Sequence, residues 1–323
     1  MGPVILDLPA ARAARRLARR NLKAAIAARA RMGHKSDPGA MHDLRVAVRR
    51  LRVILRAYAP FLADGIYGRF RKRLRVLAHA TNAARDAEVQ LEWMDSAARY
   101  PRPAERPGRR WLRAHLVSQR KSLYRKIRSE ALPEFDRLAR KMRHALESKP
   151  TRPRPAAVRR QVTFAQAAGR RVRQSTAVLA GDLRRIGSAE DEAEVHVARI
   201  EAKRLRYLVE PLVRGEKAER VLGPLKALQD SLGDLHDRHV MAHLIIWALK
   251  DGVPRGSRHD LVPGLRAVAQ QNRREADDLQ EDITRRFLGG RARALLRAPR
   301  DLARQLAAEA AVRARHHGRV GRG

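Results

Sequence analysis

His42, Arg45, Arg49, Arg52 and Arg56 follow one another at spacings of three and four, so a helix would carry them in a single line. Arginine presents five N–H donors and no acceptor, and it stays charged across the working pH range. A line of such groups, with no acid between Leu44 and Leu62, suits the binding of anions, above all phosphates, which a planar guanidinium can meet with two parallel hydrogen bonds. Like charges at helical spacing repel by roughly 0.2–0.5 kcal/mol per pair. The missing counter-charge is therefore expected from a partner, the competing reading being a solvated charged face.

A second copy of the line argues against that competing reading. Shifted by 154 positions, His42 falls on His196, Arg45 on Arg199, Arg49 on Lys203, Arg50 on Arg204 and Arg52 on Arg206. Shifts of 151 and 153 match later segments: Leu77, Asp86 and Val89 with Leu228, Asp237 and Val240, then Arg113, Arg120 and Lys121 with Arg266, Arg273 and Arg274. Agreement at three nearby offsets points to an internal duplication.

The elements that position these residues read as helices throughout, since apolar residues recur at helical spacing and no alternating β-branched run stands out. Leu44, Val48, Leu51, Leu55, Tyr58 and Leu62 form the greasy line opposite the cationic one. The first helix is expected over 9–32, with Arg12, Arg16, Arg19 and Lys23 on one side, and the second from Met41 to Pro60. The third follows to about Tyr100, and the fourth runs to about Ser148 with a kink at Pro133. The proline-rich segment 149–158 reads as a linker between halves 9–148 and 159–306, and 307–323 as a basic, disordered tail.

With 71 Lys and Arg against 34 Asp and Glu, the 323-residue chain carries a formal charge of +37, which makes an anionic polymer the leading partner class. Cysteine is absent, so disulfides and thiolate metal sites are excluded. There is no signal core and no apolar run of about 18 residues, so a cytoplasmic protein without a membrane span is expected.

The pattern H-x-x-R-x-x-x-[KR]-R-L-R, met at His42 to Arg52 and again at His196 to Arg206 and followed in the second copy by Tyr207 and Glu210, resembles the CHAD domain, the conserved histidine α-helical domain. The resemblance covers about Ala10 to Leu306, including the paired LAHATNAARD and LQDSLGDLHD segments. It implies an all-α fold of two antiparallel four-helix bundles related by a pseudo-twofold, with basic faces meeting around a central cavity. It also implies non-catalytic binding of long-chain inorganic polyphosphate, often at polyphosphate granules. The expected innermost contacts are Arg45, Arg49, Arg52, Arg199, Lys203 and Arg206, flanked by Arg50 and Arg204 and headed by His42 and His196. Arg56, Arg16 and Arg19, and Arg120 and Arg273 on the fourth helices, extend the set. The halves differ where Asn82, Ala83 and Ala84 face Gly233, Asp234 and Leu235, and where Arg56 stands in place of Glu210.

The two histidines would be held neutral by neighbouring arginines and charged beside phosphate, so binding is expected to tighten below pH 7. Asp86 and Asp237 read as orienting ion-pair partners, and Tyr207 and Glu210 as structural supports. His236, Asp237, His239 and His243 have spacings that weakly suggest a metal, and His316 with His317 suggest one still less; no cofactor or metal is expected. No nucleotide-binding or metalloprotease motif occurs, and Glu192, Glu194 and His196 only approach the E-x-E-x-K of triphosphate-tunnel domains, so an enzyme is not expected. The alternatives are a sequence-independent nucleic-acid architectural protein, or a scaffold for acidic protein tails. At 4% aromatic residues, a base-stacking platform is disfavoured. Weak, non-specific nucleic-acid binding remains a secondary expectation.

Overall fold

The computed structural model describes residues 5–32, 37, 39–62, 66–96, 102–148, 162–188 and 190–320. The proposed linker 149–158 lies outside the described residues, which are helical with no strand among them. In the first half, α1 spans Ala10–Arg31, α2 Gly39–Ala57, α3 Ile66–Ser96, α4 Arg106–Lys126 and α5 Leu132–Glu147. The second half has α6 at Phe164–Leu183, α7 at Glu192–Val209, α8 at Gly215–Trp247, α9 at Arg258–Phe287, α10 at Gly290–Leu295 and α11 at Arg297–Val320.

The apolar line of α2 is buried from Leu44 to Leu55, and Tyr58 and Leu62 continue it below the helix end. Each such side chain stabilises by about 1.5–3 kcal/mol. That outweighs the few tenths of a kcal/mol lost per like-charged pair on the other face, so α2 can hold a row of cations without an acid. In α7 the same work falls to Val195, Ala198, Ala202, Leu205, Leu208 and Val209. Thr163 begins the second half with a capping box, accepting from the Gln166 amide while Gln166 accepts from its own.

Two expectations need correction. The break in the expected fourth helix falls not at Pro133 but over Ile127–Ala131, one widened turn upstream. Pro133 has no N–H for the carbonyl four residues back, and the ladder loosens there instead of kinking at the ring. The 307–323 segment is not a disordered tail as far as Val320. Its alanine- and arginine-rich run has high helix propensity, and α11 is anchored by Leu302, Ala303, Leu306 and Ala310.

Contacts within the halves repeat: α1 on α2, α2 on α3, α3 on α4 and α5 back on α1 are matched by α6 on α7, α7 on α8, α8 on α9 and α11 back on α6. Contacts between halves pair counterparts, α1 with α6, α2 with α7, α3 with α8 and α4 with α9. Two of them are reciprocal atom by atom, as in an isologous interface. The Ala10 amide donates to Val162 O at 2.9 Å and the Phe164 amide to Leu8 O at 2.8 Å, both across the 154-residue shift. A Cβ at Gly108 would lie 2.1 Å from Leu261 O, and one at Gly264 2.2 Å from Glu105 O, so only glycine permits α4 and α9 to cross there.

That crossing sets a shift of 156, not 153. Gly108, Arg109, Leu112 and Leu116 are buried in step with Gly264, Leu265, Val268 and Asn272. The matches of Arg113, Arg120 and Lys121 with Arg266, Arg273 and Arg274 therefore do not coincide in the fold. One core runs through both halves, and a second cluster fills the space among α3, α4, α8 and α9. Beside it, buried Arg238 lies over the Trp93 ring at 4.3 Å and 3.3 Å from Glu275, whose carboxylate also accepts from Trp93 Nε1 at 2.6 Å. The counterpart of Arg238 under the 151 shift is Ala87, so this lock between halves exists once.

Candidate anion-binding site

The two cationic lines converge where α2 crosses α7. Arg45 and Arg49 from α2, and Arg199 and Lys203 from α7, lie close enough to depress one another's protonation. Arg45 and Arg49 also line a groove between α2 and α3, together with Arg52, Thr81 and Asn82. Arg45 donates to Asn82 Oδ1 at 3.4 Å and Arg49 to the Tyr207 hydroxyl at 3.4 Å.

Cations come from α2 and α7, and acids come from the helices facing them. Asp86 on α3 and Asp237 on α8 interact electrostatically with Arg199 and Lys203, and Asp86 with Arg45 as well. Neither forms an ion pair within 4.0 Å among the described residues, so the expected orienting salt bridges are replaced by longer-range compensation. Burial raises both carboxyls, Asp86 pushes Asp237 higher, and the nearby cations oppose the rise.

Burial, then repulsion from Arg199 and Arg49, lowers the Lys203 amine to about 6. Burial and Arg49 bring Arg45 to about 10, and burial lowers Arg199, whose Nε has no hydrogen-bond partner. His196 packs against His236, ring centres 5.0 Å apart. Burial, reinforced by Arg199, lowers both, His236 to about 3. At neutral pH the empty site thus holds three guanidinium groups, a largely neutral amine and neutral imidazoles. An anion placed among them would draw protons in.

Not every expected residue joins this site. Arg50 donates to Glu210 at 2.7 Å, Arg206 lies 3.4 Å from the same carboxylate, and both cover the buried Tyr207 ring. Arg204 pairs with buried Glu201, which also accepts from Ser175. These three arginines are therefore corrected from ligands to ion-paired groups, because acids on α7 and just beyond its end reach them first. Arg19 lies 3.6 Å from Glu147 and Arg273 3.6 Å from Glu190 on exposed surface, while Arg120, Arg56 and His42 are exposed without contact to the converged four. Arg16 stands near Arg20, which burial and then Arg50, Arg214 and Arg16 depress.

Sequence reasoning missed Asn82, Arg20 and the role of His236. Arg20 falls on Gln174 under the 154 shift and so leaves no repeat signal. The adjacency of His236 to the repeated Asp237 was the available clue. Glu192 takes His243 at 3.1 Å, and among the described residues no group of three or more His, Asp or Glu side chains is arranged to hold a metal.

Helical layers that bring two arginine-bearing helices together over facing aspartates define a helical anion-binding module. The chain belongs to the CHAD domain family, whose model matches residues 11–245. It is similar in fold to the crystal structure of the CHAD domain from the plant Ricinus communis, with 23% identity, a TM-score of 0.62, and coverage of 87% of this chain and 92% of that one. It is similar also to PptA from Streptomyces chartreusis, with 18% identity, a TM-score of 0.62, and coverage of 86% and 98%. A search of curated sequences finds no match. No helix among the described residues is long and apolar enough to cross a membrane.

Proposed function

We propose that this protein is a non-catalytic binder of long-chain inorganic polyphosphate that associates with polyphosphate granules. The observation that carries the reading is the convergence of Arg45, Arg49, Arg199 and Lys203 from two helices, with no carboxylate in ion-pair contact with any of them among the described residues. The link of CHAD domains with polyphosphate supports it. A polymer of phosphates has no base edges to read, so it needs rows of donors, and neutralising several phosphates releases condensed counterions.

The test is titration with size-fractionated polyphosphate and with duplex DNA at two salt concentrations. Affinity should rise with chain length until the site is spanned and fall with salt, and polyphosphate should displace DNA at the lower phosphate concentration. The double change Arg49→Ala, Lys203→Ala should remove most of the binding. Tighter binding of DNA, or near wild-type affinity in the double variant, would overturn the reading.

A further inference from the structure

Under the 154-residue shift the pseudo-equivalent of Arg49 is Lys203, so the converged site holds one cation that can release its proton among three that cannot. Every packed element contributes to its surroundings. Arg45 and Arg49 reach it from α2, Arg199 and His196 from α7, Asp86 from α3, and His236 and Asp237 from α8. No carboxylate stands within 4.0 Å of its amine among the described residues, and the amine is only partly covered. An amine in this setting has a free lone pair, and the guanidinium groups beside it would orient a phosphate.

We propose that Lys203 is a covalent modification site for small aldehydes that carry a phosphate, forming an imine at Nζ while Arg45, Arg49 and Arg199 hold the phosphate. The unprotonated Nζ attacks the aldehyde carbon, the carbonyl oxygen takes up a proton, and the carbinolamine loses water. One C=N bond replaces one C=O bond, nothing is oxidised or reduced, and water is the only product released. Arg at the same place could not do this, since a guanidinium stays protonated and is a poor nucleophile. Burial and cationic neighbours holding Lys203 near 6 leave its amine mostly unprotonated at neutral pH, unlike a solvated lysine near 10.4. The inference takes its phosphate anchor from the anion-binding reading above and otherwise stands on the amine.

The full-length protein is treated at neutral pH with pyridoxal 5′-phosphate, the imine is fixed by borohydride, which supplies the hydride to C=N, and the labelled lysine is mapped by peptide mass spectrometry. Lys203 should carry the label ahead of the other ten lysines of the chain. It should react about tenfold faster than with phosphate-free pyridoxal, the factor expected from one charge-assisted hydrogen bond. Lys203→Arg should lose the label at that peptide. Labelling spread over the exposed lysines, or equal rates for the two aldehydes, overturns the proposal even if polyphosphate binds. If Lys203 is labelled selectively and excess long-chain polyphosphate protects it, both readings stand. Selective labelling without such protection keeps the modification site and removes polyphosphate from this cavity.

Discussion

Lowering the pH from 8 to 6 should tighten polyphosphate binding, and most of the change should come from one amine. In the empty site Lys203 sits near 6, mostly neutral at pH 8 and half charged at pH 6. A bound phosphate favours the charged form, so the amine in the complex returns toward its ordinary value of about 10.4. The sign follows from linkage. The complex binds more protons than the free protein at every pH between the two values, so affinity rises as pH falls and levels off below the lower one. Taking those limits, the Lys203 contribution between pH 8 and 6 is at most about fifty-fold, since each unit of pH is worth at most tenfold per proton. His196 and His236, both lowered, act in the same direction, and protonation of the raised Asp86 and Asp237 adds to it on further acidification. The assay is calorimetry at constant ionic strength in two buffers of different ionisation heat, which counts protons taken up. Lys203→Arg fixes the charge and should remove about one proton of uptake and the larger part of the pH slope. Equal slopes in the two proteins would refute the assignment of a shed proton to Lys203.

Two further perturbations test the fold and the internal counter-charge. Gly108→Ala places a Cβ 2.1 Å from Leu261 O and 2.9 Å from the Gly264 Cα, contacts that only backbone separation can relieve. It should cost about 2–3 kcal/mol in denaturant unfolding, the upper range for overpacking, and a loss within about 0.5 kcal/mol would show that α4 and α9 do not cross so closely. Asp86→Asn with Asp237→Asn removes the two carboxylates that face the cation row. Polyphosphate should then bind more tightly at low salt and with a steeper salt dependence; weaker binding would mean that the carboxylates instead hold the arginines in place.

Much of this architecture was legible because packing constrains it. The greasy line of α2 is buried as its periodicity required, and the 154 and 151 offsets agree with the burial of both copies: Leu77 and Leu228 are each in the core, as are Leu44 and Ala198. The 153 offset failed for a physical reason. It rested on Arg113, Arg120 and Arg266, surface side chains in an arginine-rich chain, where nothing in the core sets the register. The glycines that do set it leave no side-chain pattern, and their role shows only when two backbones meet. The pairing of Arg50 with Glu210, 160 residues apart, is likewise invisible at helical spacing. Row membership could be read from periodicity, but which arginines are already neutralised depends on acids brought in by a different helix.

The two halves of the site are alike in placement and unlike in charge, and the difference can be traced to one ring. Arg49 keeps a permanent charge beside Arg45 and Arg199 and has a phenolic oxygen to donate to, supplied by Tyr207 from the opposite half. The counterpart of Tyr207 under the 154 shift is Val53, which offers no acceptor, and the counterpart of Arg49 is Lys203. A second guanidinium there would add a fourth fixed charge facing two carboxylates with one fewer partner to satisfy it. An amine can shed its proton, which leaves the empty site with three guanidinium charges against two carboxylates and a net of about one positive charge. The charge that recruits a polyanion is thus partly withheld until the anion arrives, and folding of the unliganded protein does not have to carry the whole of it.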